Sequence, residues 1–319
     1  FMRMVMKGFK GDVVIRFATL DLVRGEWRTY TQAIQAPGEY MPGDQTNHTL
    51  FEQSAVNLEE NSNREPVPYV IPPGIYQEVY TGTLSTIRQN EQALQLSVEN
   101  LVDGDARAVY KSTSFDFRYY KKLSMFVHAE KMNEHDDMED GDLTVFLRFG
   151  SDLTDNYYEY EVPLTLTPWR TASANSDMIW PADNEINISF ESLVEVKNER
   201  KELMSQEGNN ISTSIPFTRQ DPENIQNRIT IIGTPTISDV QAIMIGIRNP
   251  KRTIHSTNDD GEPISIILWA DELRLTNFNE DSGWAATASL SANLADLGNI
   301  AVSGMYTTPG FGGIATSIS

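Results

Sequence analysis

Two pairs of side chains in this sequence have types and spacing that would suit acid–base chemistry. In the first pair, Glu159 and Glu161 lie two residues apart in an alternating stretch, so both project from one face of a strand with Cβ atoms about 6.6 Å apart. Glycoside hydrolases place two carboxyl groups about 5 to 9.5 Å apart, so this spacing permits glycoside hydrolysis without indicating it. Because Tyr158, Tyr160 and Val162 make the opposite face apolar, we expect the glutamates to face solvent or a neighbouring strand in a structural role.

The second pair is His128 with Glu130, which share one face of a predicted strand. A histidine beside a carboxylate could hold a metal ion or transfer a proton. Structural histidines are far more common, and a structural or solvated histidine is what we predict here. The sequence has no cysteine, so thiolate zinc sites, iron–sulfur clusters, disulfides and cysteine nucleophiles are excluded.

Two acidic runs, residues 134–142 and 258–262, raise the question of calcium binding, since hard cations take several oxygen ligands from one loop. Neither run follows the spacing of an EF-hand. Counted from Asp136, the third position is Met138 and the twelfth is Leu147. We therefore predict solvated hairpin loops, and the question of calcium stays open for both.

Motifs and composition exclude further classes of function. The 319 residues contain no His-Glu-x-x-His, Gly-x-Ser-x-Gly, Walker or Rossmann glycine motif, so enzymes built on these motifs are excluded, and we assign no cofactor and no catalytic or metal-ligating residue. Lys and Arg number 25 against 45 Asp and Glu, a net charge of −20. This balance argues against nucleic acid, because a strongly acidic surface repels phosphate. No apolar run is long enough for a transmembrane helix, whereas transmembrane strands leave a weaker signal.

The elements that would position these residues are short strands of alternating polar and apolar residues, separated by Gly, Pro, Asn and Asp. Leu143, Val145, Leu147 and Phe149 define one strand. Further strands are predicted at residues 12–23, 122–130, 156–166, 228–232, 241–248 and 263–276. The pattern predicts an all-β fold in which residues 12–276 form an antiparallel β-sandwich of the jelly-roll type.

Two segments depart from this alternation. Residues 36–74 are polar and rich in proline, so we predict an inserted, extended loop with little regular structure. In residues 192–205, apolar residues recur at helical spacing among alternating acidic and basic residues, which predicts one short amphipathic surface helix.

The last part of the chain, residues 277–319, differs again, because only Asp296 is charged between residues 283 and 308. Apolar residues alternate with small polar ones on both sides of a predicted turn at residues 295–299. The apolar positions are Trp284, Ala286, Ala288, Leu290, Ala292, Leu294, Ile300, Val302, Gly304 and Tyr306. Strands of about ten residues with aromatic residues at their ends are typical of transmembrane β-barrels, so we predict membrane strands here; an ordinary hairpin of a soluble sheet is the alternative. Residues 1–11 are a further possible barrel strand, and both ends of the sequence are interpreted as cuts through a longer polypeptide.

The tryptophans suggest a different function. Trp27, Trp169, Trp180 and Trp269 could form a sugar-stacking platform, which would make the chain a soluble carbohydrate-binding jelly-roll module. Aromatic residues in strands are more often part of the core. We keep this module as the alternative to a membrane-associated function.

Six phrases, in consistent order over nearly the whole chain, resemble the SprA/Sov family. They are residues 22–28 (LVRGEWR), 122–130 (KLSMFVHAE), 156–161 (NYYEYE), 247–250 (IRNP), 269–275 (WADELRL) and 283–286 (GWAA). This family is the very large outer-membrane translocon of the Bacteroidetes type 9 secretion system, also linked to gliding motility. The resemblance implies a fragment of a pore that passes folded proteins to the cell surface and has no catalytic residues.

The resemblance also implies partners and a location. The partners are other secretion-system subunits at the lateral opening and periplasmic mouth of the barrel, secreted protein substrates and outer-membrane lipid. Barrels of this class have short periplasmic turns and long extracellular excursions. We therefore expect the turn at residues 295–299 to face the periplasm, and the sandwich of residues 12–276 to be extracellular.

Overall fold

The structure is a computed structural model, and it describes residues 26–31, 33–34, 40–41, 48–77, 79–80, 87–206, 208, 210–251, 261–278, 285–293 and 295–307. The predicted strand at residues 12–23 and the possible barrel strand at residues 1–11 lie outside the described residues. Within those residues, no helix combines the length and the apolar character needed to cross a membrane.

Strands make up most of the regular secondary structure among the described residues. In chain order they are β1 (Arg28–Thr29), β2 (Ala33–Ile34), β3 (Tyr40–Met41), β4 (Leu50–Asn57), β5 (Val79–Tyr80), β6 (Ile87–Arg88), β7 (Gln92–Leu101), β8 (Ala106–Phe115), β9 (Tyr120–Lys131), β10 (Thr144–Gly150), β11 (Tyr157–Pro163), β12 (Ile186–Ser189), β13 (Phe217–Gln220), β14 (Arg228–Ile232), β15 (Val240–Arg248), β16 (Ile264–Phe278), β17 (Ala285–Asn293) and β18 (Asn299–Thr307). The helices are α1 (Leu58–Asn61), α2 (Ser176–Ile179) and α3 (Phe190–Ser205), with 3₁₀ turns at Phe117–Tyr119, Ala182–Asn184 and Ala295–Leu297.

Two antiparallel sheets contain twelve of these strands. The seven-stranded sheet has the order β1-β8-β15-β10-β11-β14-β13, and the five-stranded sheet has the order β12-β9-β16-β7-β4. The strand pairs β2-β3, β5-β6 and β17-β18 are separate two-stranded ribbons. The predicted all-β fold of antiparallel sheets with few helices is confirmed, whereas the jelly-roll topology and the barrel stay predictions.

Both sheets contribute side chains to one hydrophobic core. Val145, Leu147 and Tyr160 come from the seven-stranded sheet, and Leu123 and Leu268 come from the five-stranded sheet. All five are at most 2% exposed. We call the unit that these two sheets form the two-sheet domain. The opposite faces of the sheets carry the polar clusters described below.

The predicted helix is confirmed as α3, which begins two residues earlier than expected. Leu193, Val196 and Arg200 are buried, and Leu203 packs against the core, so the predicted apolar stripe faces the sheets. The Arg200 guanidinium donates to the carbonyl oxygen of Gly233 at 2.8 Å. Predicted strands in residues 122–130, 143–149, 156–166, 228–232, 241–248 and 263–276 are also confirmed, as β9, β10, β11, β14, β15 and β16.

The expectation for residues 36–74 is wrong in its second half. Strand β4 pairs with β7 over eight residues, from Leu50↔Glu99 to Asn57↔Gln92, and α1 follows it at once. β4 is an edge strand, and edge strands tolerate polar residues because one of their edges pairs with no other strand. The polar composition of residues 50–57 therefore gave no sign of a strand. After α1 the chain is extended, yet Val67 and Tyr69 in it are fully buried.

Candidate functional site

The hairpin of β17 and β18 has two chemically different faces. Leu290 lies opposite Val302, and Ser289 lies opposite Ser303. Opposed residues of an antiparallel pair project to the same face, so the pairing gathers the alternating apolar residues of both strands on one side. We call that side the apolar hairpin face: Ala286, Ala288, Leu290, Ala292, Ile300, Val302, Gly304 and Tyr306. The polar hairpin face consists of Thr287, Ser289, Ser291, Ala301, Ser303 and Met305.

The apolar hairpin face is exposed. Leu290 is 70% exposed, Val302 60% and Tyr306 61%. Among the described residues, no third strand pairs with either edge of the hairpin. A two-stranded hairpin is marginally stable alone, and soluble monomers rarely leave a contiguous apolar face in water. Within the described residues, the apolar hairpin face is therefore left exposed, without a packing partner.

A ladder of buried charges crosses the seven-stranded sheet on the face turned away from the shared core. Glu159 Oε2 accepts from Arg148 Nε at 2.9 Å and from Nη2 at 2.6 Å, and Glu159 Oε1 accepts from Arg248 Nη2 at 2.9 Å. Glu161 Oε1 lies 3.0 Å from Arg248 Nη1 and accepts from Thr144 Oγ1 at 2.6 Å. Each of these four charged residues is at most 8% exposed.

Strand register creates this ladder. Arg148 on β10 is directly opposite Glu159 on β11, and Arg248 comes from β15 on the other side of β10. The ring of Phe146 lies under both guanidinium groups, 5.7 Å from that of Arg148 and 4.6 Å from that of Arg248. Gly246 makes room for this ring, since a Cβ there would come within 2.2 Å of it.

The electrostatics of the ladder do not suit acid catalysis. Burial raises the pKa of Glu159, but the attraction of Arg248 and Arg148 outweighs burial and holds its pKa below the usual range. A glycosidase acid needs a raised pKa and access to a sugar. Glu159 is 1% exposed and paired with two arginines, one from β10 and one from β15, so the structure places both glutamates against neighbouring strands in a structural role.

The second predicted pair is also buried, on the outer face of the five-stranded sheet. The His128 ring stacks on Trp269 at a centroid distance of 3.9 Å, and Nδ1 donates to the Ile179 carbonyl oxygen at 2.8 Å. Nε2 lies 3.5 Å from Glu130 Oε2, while Glu130 Oε1 pairs with Arg64. His128 and Glu130 are both 0% exposed, so this is a structural histidine with no access for a substrate.

Residues 62–77 cover this cluster, and we call them the cover segment. Its Tyr69 Oη donates to Asp271 Oδ2 at 2.8 Å, and the carbonyl oxygen of its Val70 accepts from Trp180 Nε1 at 2.8 Å. Arg64 places its guanidinium 5.2 Å from the ring centroid of Trp269. The sequence offered no periodic signal for these contacts, because the cover segment is neither helix nor strand.

The cover segment removes two tryptophans from any sugar-binding platform. Trp180 is 3% and Trp269 0% exposed, in one apolar cluster with Tyr69. Trp169 is half-buried away from this cluster, and Trp27 packs under the Lys111 ammonium at 4.9 Å. The expectation that Trp180 or Trp269 stacks on sugar is therefore wrong, and the tryptophans do not form a common exposed platform.

Asp271 makes the stability of this cluster depend on pH. Burial, together with Glu272 and Glu91, raises the pKa of Asp271 to about 6, although the hydrogen bond from Tyr69 opposes the shift. The folded chain thus holds the proton more tightly than the unfolded chain. Stability from this group is complete below about pH 4 and is lost as the pH rises through about 6, by at most about 3 kcal/mol.

The comparison that checks this expectation is wild type against Asp271→Asn, unfolded by guanidinium at pH 4 and at pH 7. In the amide, Oδ1 still accepts from the Glu272 N–H, and the Nδ2 group can donate to the Tyr69 oxygen where Asp271 Oδ2 accepts from it in the wild type. We expect the variant to be more stable than wild type at pH 7 and to lose this advantage at pH 4. Equal free-energy differences at both pH values would show that Asp271 is not the titrating group.

Three carboxylates of the acidic run at residues 134–142 accept hydrogen bonds from backbone N–H groups of the loop and its neighbours. Asp136 Oδ2 accepts from the Asn133 N–H at 3.0 Å, Asp142 Oδ2 from the Glu139 N–H at 2.6 Å, and Asp140 Oδ1 from the Leu166 N–H at 2.7 Å. Across the described part of the chain, no group of three or more His, Asp or Glu side chains could hold a metal ion. Most of the run at residues 258–262 lies outside the described residues.

The described residues thus define a class: an all-β protein of antiparallel sheets with buried polar ladders and an exposed amphipathic hairpin. A family model described as motility related/secretion protein, SprA_N, matches residues 1–319, the whole chain. The chain therefore belongs to the SprA family of motility and secretion proteins, which confirms the resemblance of its sequence. No curated protein matches the chain.

Proposed function

We propose that this chain is a structural part of an outer-membrane protein-export channel, the type 9 secretion translocon, which passes folded proteins to the cell surface. Membership of a motility and secretion family supports the secretion role. The observation that carries the channel role is the apolar hairpin face, which is exposed in the structure and has no charged residue. In this proposal the chain is not an enzyme, and β17 and β18 are two strands of the channel wall.

The dimensions of the hairpin suit a bilayer. β17 and β18 each contain nine residues, which at about 3.3 Å per residue gives roughly 30 Å. The hydrocarbon core is about 30 Å thick, and membrane strands have about 9 to 11 residues. The apolar hairpin face would contact lipid, and further strands of the barrel would pair with both edges of the hairpin.

The polar hairpin face would line the channel. None of its residues is charged, and all of them except Met305 are small, with Ser289 and Ser303 at its centre. A wall of this kind holds passing proteins weakly, because it offers neither ionic contacts nor a large apolar surface. Selectivity would then depend on pore shape and on partner subunits at the lateral opening and the periplasmic mouth.

The two-sheet domain would be a jelly-roll-like sandwich on the extracellular side. The connection between β17 and β18 is short, and short turns of such barrels face the periplasm. β16 would then deliver the chain from outside. The net charge of −20 would keep this domain soluble at the cell surface.

An alternating cysteine scan of the full-length protein tests the proposal, since this sequence has no cysteine of its own. We expect cysteines at Leu290 and Val302 to react poorly with a charged maleimide, and their fluorophore-labelled forms to be quenched by acyl-chain nitroxide lipids. Cysteines at Ser289 and Ser303 should react readily, because they would face a water-filled lumen.

The matched pairs Leu290 with Ser289 and Val302 with Ser303 serve as controls for one another, because each pair comes from neighbouring positions of one scan. Equal reactivity on both faces would contradict the proposed membrane role. Asp137→Cys, in an exposed loop of the two-sheet domain, shows on which side of the outer membrane this domain lies. Labelling of this residue on intact cells supports the extracellular placement, and labelling only after permeabilisation overturns it.

A further inference from the structure

One end of the two-sheet domain carries four aromatic side chains that are exposed or only half-buried. This aromatic end consists of Phe115, Tyr119, Tyr120 and Phe278. The Phe278 ring lies parallel to that of Tyr119 at 6.5 Å and meets the Tyr120 ring edge-on at 5.5 Å. Phe278 is 57% exposed, Phe115 is 49% exposed and both tyrosines are half-buried. Exposed apolar surface of this kind marks a contact with something outside the domain.

The covalent chain ties the aromatic end to the hairpin. Phe278 is the last residue of β16, and β17 begins at Ala285, seven peptide steps later. Seven steps span at most about 25 Å. Ala285 lies opposite Thr307, so the hairpin end nearest to the domain is also the one that carries Tyr306 on the apolar hairpin face.

Two cationic side chains beside the aromatic end, Arg118 and Lys122, are paired with carboxylates of the protein itself. Arg118 Nη2 lies 2.6 Å from Asp116 Oδ2, and Lys122 Nζ lies 2.8 Å from Glu223 Oε2. The Arg118 hydrogen bond holds the pKa of Asp116 below its usual range, so the first pair stays ionised and compensated. Internal pairing lowers the cost of bringing this surface to a less polar medium.

We propose that the aromatic end rests in the lipid headgroup region of the membrane leaflet that faces the two-sheet domain. Tyrosine and other aromatic rings prefer this region, because one part of the ring system is apolar and the phenol stays wet. Tyr306 would occupy the same level from the hairpin side. The inference rests on the proposed function, since the membrane lies here only if the hairpin spans it.

This contact would fix the tilt of the domain over the pore. A connection of six residues between β16 and β17 does not by itself orient a domain of this size. A second point of contact, made by rings on β8, β9 and β16, would hold it against the membrane surface. The aromatic rings would drive the contact, since Arg118 and Lys122 are already paired with carboxylates of the protein.

Three single-cysteine variants of the full-length protein in lipid nanodiscs test this inference. Phe278→Cys reports the aromatic end. Val302→Cys reports the hairpin. Val102→Cys, which is 40% exposed beyond the other end of β8, is the matched control. Each is labelled with one environment-sensitive fluorophore and quenched by lipids that carry a nitroxide at the headgroup or in the middle of the acyl chain.

We expect the label at residue 278 to lose most of its fluorescence to the headgroup nitroxide, that at 302 to the acyl-chain nitroxide, and that at 102 to neither. Quenching at 302 with none at 278 overturns the inference and leaves the proposed function intact; protection of residue 278 from labelling in that case assigns the aromatic end to a protein partner. Absence of quenching at 302 contradicts the proposed function itself. Quenching of all three labels shows that the fluorophore seeks lipid unaided and also overturns the inference.

Discussion

Replacing Glu159 by glutamine is expected to destabilise the two-sheet domain by about 3 to 5 kcal/mol, because it leaves buried positive charge without compensation. Glu159 is the only carboxylate of the ladder that contacts both Arg148 and Arg248. Glutamine has nearly the same shape, so packing is unchanged and the loss is electrostatic. Guanidinium unfolding followed by the fluorescence of the buried tryptophans measures this difference.

The matched control is Glu199→Gln, which removes a carboxylate from an exposed ion pair with Arg219. Glu199 and Arg219 are 45% and 38% exposed at their side chains, and exposed pairs contribute about 0 to 1 kcal/mol. Similar midpoints for the two variants would show that the ladder is hydrated and contributes little. A double variant in which Arg148 and Glu159 both become apolar should recover much of the lost stability, because both buried charges of that pair are gone.

Strands with strict alternation were predictable from the sequence, and strands that depend on their neighbours were not. β10, β14 and β15 alternate strongly or are continuously apolar, so local pattern alone indicates them. β7 and β8 were missed, although each has ten residues. The alternation of Leu94, Leu96 and Val98 with polar residues in β7 is a local signal of the same kind, so only the pairing of β7 with β16 and β4 lay beyond the local pattern.

In the candidate sites, too, contacts between residues close in sequence were predictable and contacts between distant residues were not. The sequence predicted that Glu159 would face solvent or a neighbouring strand. Its partner Arg148 lies across a hairpin, only eleven residues away in sequence. Arg248 is 89 residues away from Glu159 in sequence, and nothing in local pattern brings them together. The packing of the cover segment was missed for a related reason. Val67 and Tyr69 are buried by tertiary contacts, but the apolar residues of this segment follow neither helical nor strand spacing. The two faces of the hairpin, in contrast, follow from alternation and a short turn.

Replacing Leu290 by arginine is expected to cost about 2 to 4 kcal/mol in membrane assembly, which lowers the equilibrium constant for folding into the membrane by about 30-fold to 1000-fold. Leu290 lies near the middle of β17 on the apolar hairpin face, where the proposed bilayer has its midplane. An arginine there would have to leave water or deform the bilayer. Urea-dependent folding of the full-length protein into liposomes measures the loss.

Ser289→Arg is the control that separates a membrane strand from a soluble hairpin. Ser289 is the neighbouring residue on the polar hairpin face, and both side chains are exposed in the structure. In water the two arginines would be equivalent, because neither position is packed and both strands keep their pairing. Only a lipid environment on one side makes Leu290→Arg much worse than Ser289→Arg. Equal effects of the two substitutions would therefore contradict the channel-wall role, however well the chain fits its secretion family.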